Sequence, residues 1–237
     1  MSVSGGPDIV TDGLVFYLDA ANPKSHPGTG TDWFDLSGNG NDGTLSGSLT
    51  NTPTYSTDNL GYFDFDDAST EYVDIGATTG LSSLTKATFV AWVYRDGAQS
   101  GYVGIIFSRS SDVTGMNIVG SGGGQLGYHW DSGIHYGWTG GPTIPDAAWS
   151  MVAVSVNPTD ATAYVFDSTG VSSSTHGNNH TSTTLDNLDV GRDQFVHPVL
   201  GPRYWDGRIA QALIYDRALT QAELTINFNS TRGRYGI

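Results

Sequence analysis

The chain has 237 residues, within the size range of a single all-β sandwich. It carries 24 acidic and 10 basic residues, a net charge of −14, which argues against nucleic-acid partners and anionic membranes because both need a basic footprint. It contains no cysteine, so disulfides and thiolate metal sites are excluded.

Membrane and export signals are missing from the printed sequence. No stretch approaches the roughly 20 apolar residues of a transmembrane helix. Residues 1–7 have neither the basic nor the apolar region of a signal peptide. We therefore expect no membrane insertion. The protein is then used in the cytoplasm, exported by another route, or assembled into a particle there and released by lysis.

Short apolar segments, some with alternating polar residues, predict strands in the first half of the chain. Residues 14–19 form the first of them, and residues 89–94 form a core strand. Residues 61–66 and 71–75 are predicted to pair as a hairpin around a turn at 67–70.

The second half continues in the same way. Residues 125–130 and 134–138 are predicted to form an aromatic hairpin, and residues 149–156 and 161–166 a second hairpin. Residues 195–203 contain two prolines and are predicted to be a long loop.

The stretch 205–229 organises the chain. Residues 209–215 are apolar on both faces except for Gln211, which indicates a strand buried on both sides. Thr220 and Glu223 then have the spacing of a capping box, so a helix of about 8–10 residues is expected. Strands every 8–14 residues with one helix predict an all-β sandwich.

Four runs resemble the laminin G-like branch of the concanavalin A-like jelly rolls, of the type found in structural proteins of tailed phages. They are GLVFYLDAANPKS at 13–25, WFDLSGNGNDGTL at 33–45, IYDRALTQAE at 214–223 and NFNSTRGRYGI at 227–237. The resemblance implies a concanavalin A-like jelly-roll sandwich of two antiparallel sheets with one short C-terminal helix. It also implies that the first strand lies near the last long strand. We expect a flexible arm at 1–7, one domain at 8–230 and a tail at 231–237.

Calcium is the candidate cofactor. Asp35, Ser37 and Asn39 have the alternate-residue oxygen spacing of the first half of a calcium loop, although the distant glutamate is lacking. Asp66 and Asp67 are alternative ligands. The competing interpretation is that these side chains only satisfy backbone amides of turns.

The aromatic hairpin is the candidate carbohydrate site. A two-residue turn at 132–133 would place Trp130 beside His135 and His129 beside Tyr136, with one pair facing outward; these four residues and Trp138 are the candidates. Aromatic rings with hydrogen-bonding neighbours suit sugars, which have apolar faces and polar edges. The alternative is that Trp130 and Trp138 belong to the core.

Catalysis is not expected. A retaining glycosidase needs two carboxyls about 5–5.5 Å apart. The chain has two glutamates, Glu71 on a predicted hairpin and Glu223 in the capping box, and it has no Gly-x-Ser-x-Gly elbow.

The resemblance therefore predicts a non-enzymatic virion protein of a tailed phage, exposed on the head or in a fibre or tail. Its expected partners are other virion proteins, attached through the two chain ends, together with host glycans and further copies of itself. The alternatives are a stand-alone lectin-like module and, less favoured, a glycoside hydrolase.

Overall fold

A computed structural model describes residues 8–48, 51–120, 123–131, 134–136, 140–198 and 201–237. They form two eight-stranded antiparallel sheets and a two-stranded hairpin. The strands are β1 Leu14–Asp19, β2 Asp32–Trp33, β3 Gly43–Ser46, β4 Thr54–Ser56, β5 Tyr62–Phe65, β6 Tyr72–Gly76, β7 Ala87–Arg95, β8 Gly104–Arg109, β9 Val113–Val119, β10 Gln125–Trp130, β11 Ile134–Tyr136, β12 Trp149–Val156, β13 Asp160–Asp167, β14 Gly170–Gly177, β15 Leu188–Val190, β16 Arg192–His197, β17 Gly201–Tyr204 and β18 Gly207–Tyr215.

The first sheet, here called sheet I, is built around β18. Its order is β14-β13-β12-β7-β18-β5-β4, and β1 also pairs with β18. Eight of the nine residues of β18 are buried, because the strand packs on both faces. The predicted central strand is therefore confirmed, as is its pairing with the first strand.

The second sheet, sheet II, has the order β11-β10-β9-β8-β15-β6-β3-β2. The inward side chains of both sheets form one apolar core that includes Trp33, Phe89, Trp130 and Trp205. Two antiparallel layers around one core are a jelly-roll sandwich, so the predicted fold class is confirmed.

The predicted hairpin at 61–75 is wrong. Strand β5 belongs to sheet I and pairs with β18, whereas β6 belongs to sheet II and pairs with β15. Phe63 of β5 and Val73 of β6 both point into the core, from opposite layers. The connection contains a short 3-10 helix, Asp67–Ser69, and Thr70 at φ 54°, so it crosses between sheets where a tight hairpin turn would keep the strands in one layer.

The predicted loop at 195–203 is also wrong. Strands β16 and β17 form a separate hairpin that begins directly after β15 and packs beside β8. The two prolines, Pro198 and Pro202, favoured a loop, and residues 192–195 lack the apolar alternation that indicates a strand.

The C-terminal helix α1, Gln221–Thr231, covers the outer face of sheet I. The predicted capping box is present: Glu223 N donates to Thr220 Oγ1, and Thr220 N donates to Glu223 Oε2. Phe228 stacks on Trp92 of β7, with ring centroids 5.6 Å apart. The helix has 11 residues, and no helix in the described part of the chain is long and apolar enough to span a bilayer.

Residues 231–237, predicted as a tail, are packed against the sandwich. A 3-10 helix, Arg232–Tyr235, follows α1, and the Tyr235 ring stacks on Trp92 at 4.1 Å and also contacts Trp149. Residues 1–7, predicted as an arm, lie outside the described residues.

Candidate functional site

The aromatic hairpin has a different register from the predicted one. Trp130 pairs with Ile134, and His129 pairs with His135. The loop therefore has three residues, and Asp131 adopts φ 58° in the left-handed region. The predicted pairing assumed a two-residue turn, so every partner was displaced by one position.

The described side chains of this hairpin point away from solvent. Trp130 is fully buried in the core, where its Nε1 donates to Thr181 O at 2.8 Å. His129 is 2% exposed and meets Phe107 edge-on. Trp130 therefore belongs to the core, which was the alternative interpretation of this hairpin. His135 and Tyr136 are described only as backbone of β11, and Trp138 lies outside the described residues.

The first calcium candidate is a structural turn. Asp35 Oδ1 accepts from the amides of Tyr17 and Ser37, and Oδ2 accepts from Ser37 Oγ and the amide of Asn41. Asn39 Nδ2 donates to Val15 O. Because these four donors use the acceptor sites of the carboxylate, the geometry favours the turn interpretation.

The second calcium candidate gains a third ligand. Oxygen atoms of Asp66, Asp67 and Asp206 lie within 4.8 Å of one another. Burial, reinforced by the charges of nearby aspartates, raises the pKa of Asp206 to about 6. However, Asp66 already accepts hydrogen bonds from Ala68 N and Ser69 Oγ. Calcium binding thus stays a prediction, centred on these three aspartates.

The two sheets differ in what covers their outer faces. Helix α1 covers sheet I, whereas on sheet II the outer face of β2, β3 and β6 is exposed to solvent. One cross-strand row there pairs Asp32 with Thr44, Thr44 with Asp74, and Asp74 with Asp189. Side chains in such a row share one face of the sheet. Asp32, Thr44 and Asp74 of this row are exposed and available to a ligand, whereas Asp189 is buried.

An aromatic and charged group continues this row, and we call Tyr72, Asp74, Asp189, Arg192 and Tyr204 the Tyr72 cluster. The Arg192 guanidinium carbon lies 3.3 Å from the Tyr72 ring centroid, and the Tyr72 and Tyr204 centroids are 6.1 Å apart. Both tyrosines and Arg192 are half-buried, and Asp74 is exposed. Half-buried rings beside hydrogen-bonding groups have the character of a sugar platform.

Asp189 is the buried polar centre of the Tyr72 cluster. Its Oδ2 accepts from Arg192 Nε at 2.6 Å and from Gln194 Nε2 at 2.7 Å. Within the described part of the chain, its buried Oδ1 has no hydrogen-bond partner. Burial raises the pKa of Asp189 to about 6, although Arg192 and Gln194 act in the opposite direction. The carboxyl thus takes up its proton near pH 6 instead of near pH 4.

Sequence reasoning missed the Tyr72 cluster. The alternation of Tyr72, Val73 and Asp74 did place Tyr72 and Asp74 on one face, and this signal was available. The other half of the cluster comes from β15–β17, more than 110 residues later, where Arg192 and Tyr204 pair across a hairpin that was predicted to be a loop.

The sequence of residues 67–225, more than half of the chain, matches the family model Laminin_G_3, described as the concanavalin A-like lectin/glucanases superfamily. The chain belongs to this superfamily. No curated protein sequence matches the chain.

Several solved structures share the concanavalin A-like fold at low identity. Domain 4 of AbnA, a GH43 extracellular arabinanase from Geobacillus stearothermophilus solved with arabinotriose, is 17% identical at TM-score 0.64; the match covers 90% of this chain and 96% of that one. A Trypanosoma rangeli sialidase in complex with sialic acid is 13% identical at TM-score 0.61, and the match covers 94% of this chain. The enzymatically active domain of bacteriophage CBA120 tailspike protein 2 is 11% identical at TM-score 0.52, covering 78% of this chain. This chain matches only 33% of the sialidase and 30% of the tailspike domain.

These likenesses contradict the prediction that the chain is not an enzyme. The concanavalin A-like fold recurs in chains from an arabinanase, a sialidase and an enzymatically active tailspike domain. The prediction did not consider the carboxyls of Asp74 and Asp189 together. Asp74 and Asp189 are direct cross-strand neighbours on sheet II, whose Cβ atoms lie about 4.5–5.5 Å apart in such pairs.

Proposed function

We propose that this chain is a glycan-binding domain on the surface of a tailed-phage virion and that it binds host saccharides at the Tyr72 cluster. The observation that carries the proposal is the platform formed by Tyr72, Tyr204 and Arg192 beside Asp74 on the exposed part of sheet II. Sugar rings present apolar CH faces to aromatic rings and hydroxyls to charged groups, so this combination suits them.

Two comparisons support the ligand class and the setting. The AbnA domain, which this chain matches over nearly its whole length, was solved with arabinotriose. The tailspike domain comes from a phage, and it supports a role in a virion. Other virion proteins and further copies of this chain are the partners that such a setting implies.

The binding site is tested with a glycan array and two matched variants. Tyr72→Ala removes the platform, and we expect it to weaken binding at least about 10-fold, equivalent to about 1.4 kcal/mol. Tyr94→Ala is the control because Tyr94 also lies under an arginine, with Arg208 Cζ 4.4 Å from its centroid, but on sheet I. Equal binding by wild type and Tyr72→Ala would remove the site from consideration.

The setting is tested on particles. Antibodies raised against the domain should label intact virions at fixed positions on the head or tail. Particles that carry no label, while the free protein binds the same antibodies, would argue for a stand-alone lectin-like module.

Glycan hydrolysis at the same face is the second candidate function, favoured by the adjacent carboxyls of Asp74 and Asp189. Two neighbouring carboxyls, one of them with a raised pKa, are the groups that glycosidases use. Release of reducing ends from arabinan or sialylated oligosaccharides, lost in Asp74→Asn, would support it. Binding without any release would leave glycan recognition as the function.

A further inference from the structure

A concave region lies on the sheet I side of the sandwich, away from the Tyr72 cluster, where β1 meets α1. Its volume is about 550 Å³, in the range of roughly 300–1,000 Å³ typical of small-molecule sites. We call it the terminal pocket. Ten residues line it: Asp8, Ile9, Thr11, Leu14, Tyr17, Asn22, Leu36, Ser230, Thr231 and Arg234.

A neutralised polar network lies beside the terminal pocket. Asp19 is 1% exposed, and Arg234 Nη1 donates to both of its carboxylate oxygens at 2.9 Å. The Tyr17 hydroxyl and Gln211 Nε2 also donate to Asp19 Oδ2, at 2.9 and 2.8 Å. Burial, reinforced by the charge of Asp19, raises the pKa of Tyr17, so the phenol keeps its proton. The charges of Asp19 and Arg234 cancel, and the wall that contains Arg234 offers polar groups without net charge.

The remaining walls combine apolar and polar surface. Ile9, Leu14 and Leu36 provide aliphatic contacts. Thr11, in the segment before β1, and Ser230, in α1, add hydroxyls to the lining, and the Ser230 hydroxyl also donates to Asn227 O. The lining of the terminal pocket therefore combines aliphatic surface with hydrogen-bonding groups, which suits a sugar ring.

We propose that the terminal pocket binds a neutral saccharide unit, as a second site independent of the Tyr72 cluster. The ligand class rests on the proposed function; the location rests on the cavity alone. An anionic sugar is disfavoured because Asp8 lies in the wall, Arg234 is already neutralised and the chain carries a net charge of −14. A domain with two sites on opposite sides could join two glycan chains or hold one chain more tightly through avidity.

The test is nuclear magnetic resonance titration of the full chain with arabinotriose and, separately, with sialic acid. We expect arabinotriose to shift the backbone amide signals of residues 11–14 and 230–234 saturably, and sialic acid to leave them in place. Thr11→Trp fills the terminal pocket from an exposed loop position and should weaken this set of shifts at least 10-fold, without changing those at residues 72–74. Ser230→Trp adds the same side chain to the wall formed by α1 and serves as a second variant.

Ser172→Trp adds the same side chain on the exposed edge strand β14 and should change neither set of shifts. The proposal is overturned if residues 11–14 and 230–234 do not respond to arabinotriose, if sialic acid shifts them equally, or if both blocking variants titrate like wild type. Shifts at the terminal pocket with none at residues 72–74 would support this inference and refute the site of the proposed function. The reverse pattern would refute this inference alone.

Discussion

The substitution Asp189→Asn should change how the free energy of unfolding depends on pH. In the folded chain, burial raises the pKa of Asp189 from 3.8 to about 6. A difference of that size between folded and unfolded states corresponds to about 3 kcal/mol. Because the folded pKa is the higher one, the stabilisation is fully present below pH 4. It is lost as the pH rises through 6, where the buried carboxyl must ionise.

Asparagine has nearly the same shape and cannot ionise. The variant should therefore be about as stable as wild type near pH 4, and more stable by up to about 3 kcal/mol at pH 8. Urea unfolding of both proteins at half-unit steps from pH 4 to pH 8 measures the difference directly, since all other titrating groups are shared. Parallel stability curves would refute the assignment of this pH dependence to Asp189.

Two further substitutions and the addition of calcium should change the stability of the folded chain. Both amide atoms of Asn117 are buried with no hydrogen-bond partner among the described residues, so Asn117→Leu should raise the free energy of unfolding by about 1–2 kcal/mol, seen as a higher urea midpoint with an unchanged slope. Thr220→Ala removes the capping hydroxyl of α1 and should cost about 1 kcal/mol, seen as a lower melting temperature, whereas no change would mean that packing alone holds the helix. Added calcium should raise the melting temperature of wild type but not of Asp206→Asn, and a calcium response that survives in Asp206→Asn would place the ion elsewhere.

Much of the fold follows from local patterns. The run at 209–215 is apolar on both faces apart from Gln211, which is typical of a strand covered on both sides, and β18 is that strand. Thr220 and Glu223 locate the start of α1 because a capping box needs only residues three apart. Both features depend only on the spacing of residues within one strand or helix, and this spacing can be read directly from the sequence.

The missed features depend on pairings between distant segments. Whether β5 and β6 share a sheet is decided by their partners β18 and β15, and a local alternation pattern is the same in either case. Pairing was also mispredicted within the aromatic hairpin. One additional loop residue, Asp131, shifts every predicted cross-strand partner by one position. The Tyr72 cluster was missed because it depends on such pairings: it joins β6 to a distant hairpin that begins at Arg192.

The position of β18 has a consequence for biosynthesis. Strand β1 leaves the ribosome early, yet its partner begins at Gly207, and the aromatic cover of sheet I is completed only by Tyr235. Sheet I therefore cannot close before β18 has left the ribosome, and the edge of nascent β1 stays unpaired until then. Such distant pairing slows folding, and it makes chaperone binding to the nascent chain a physical advantage.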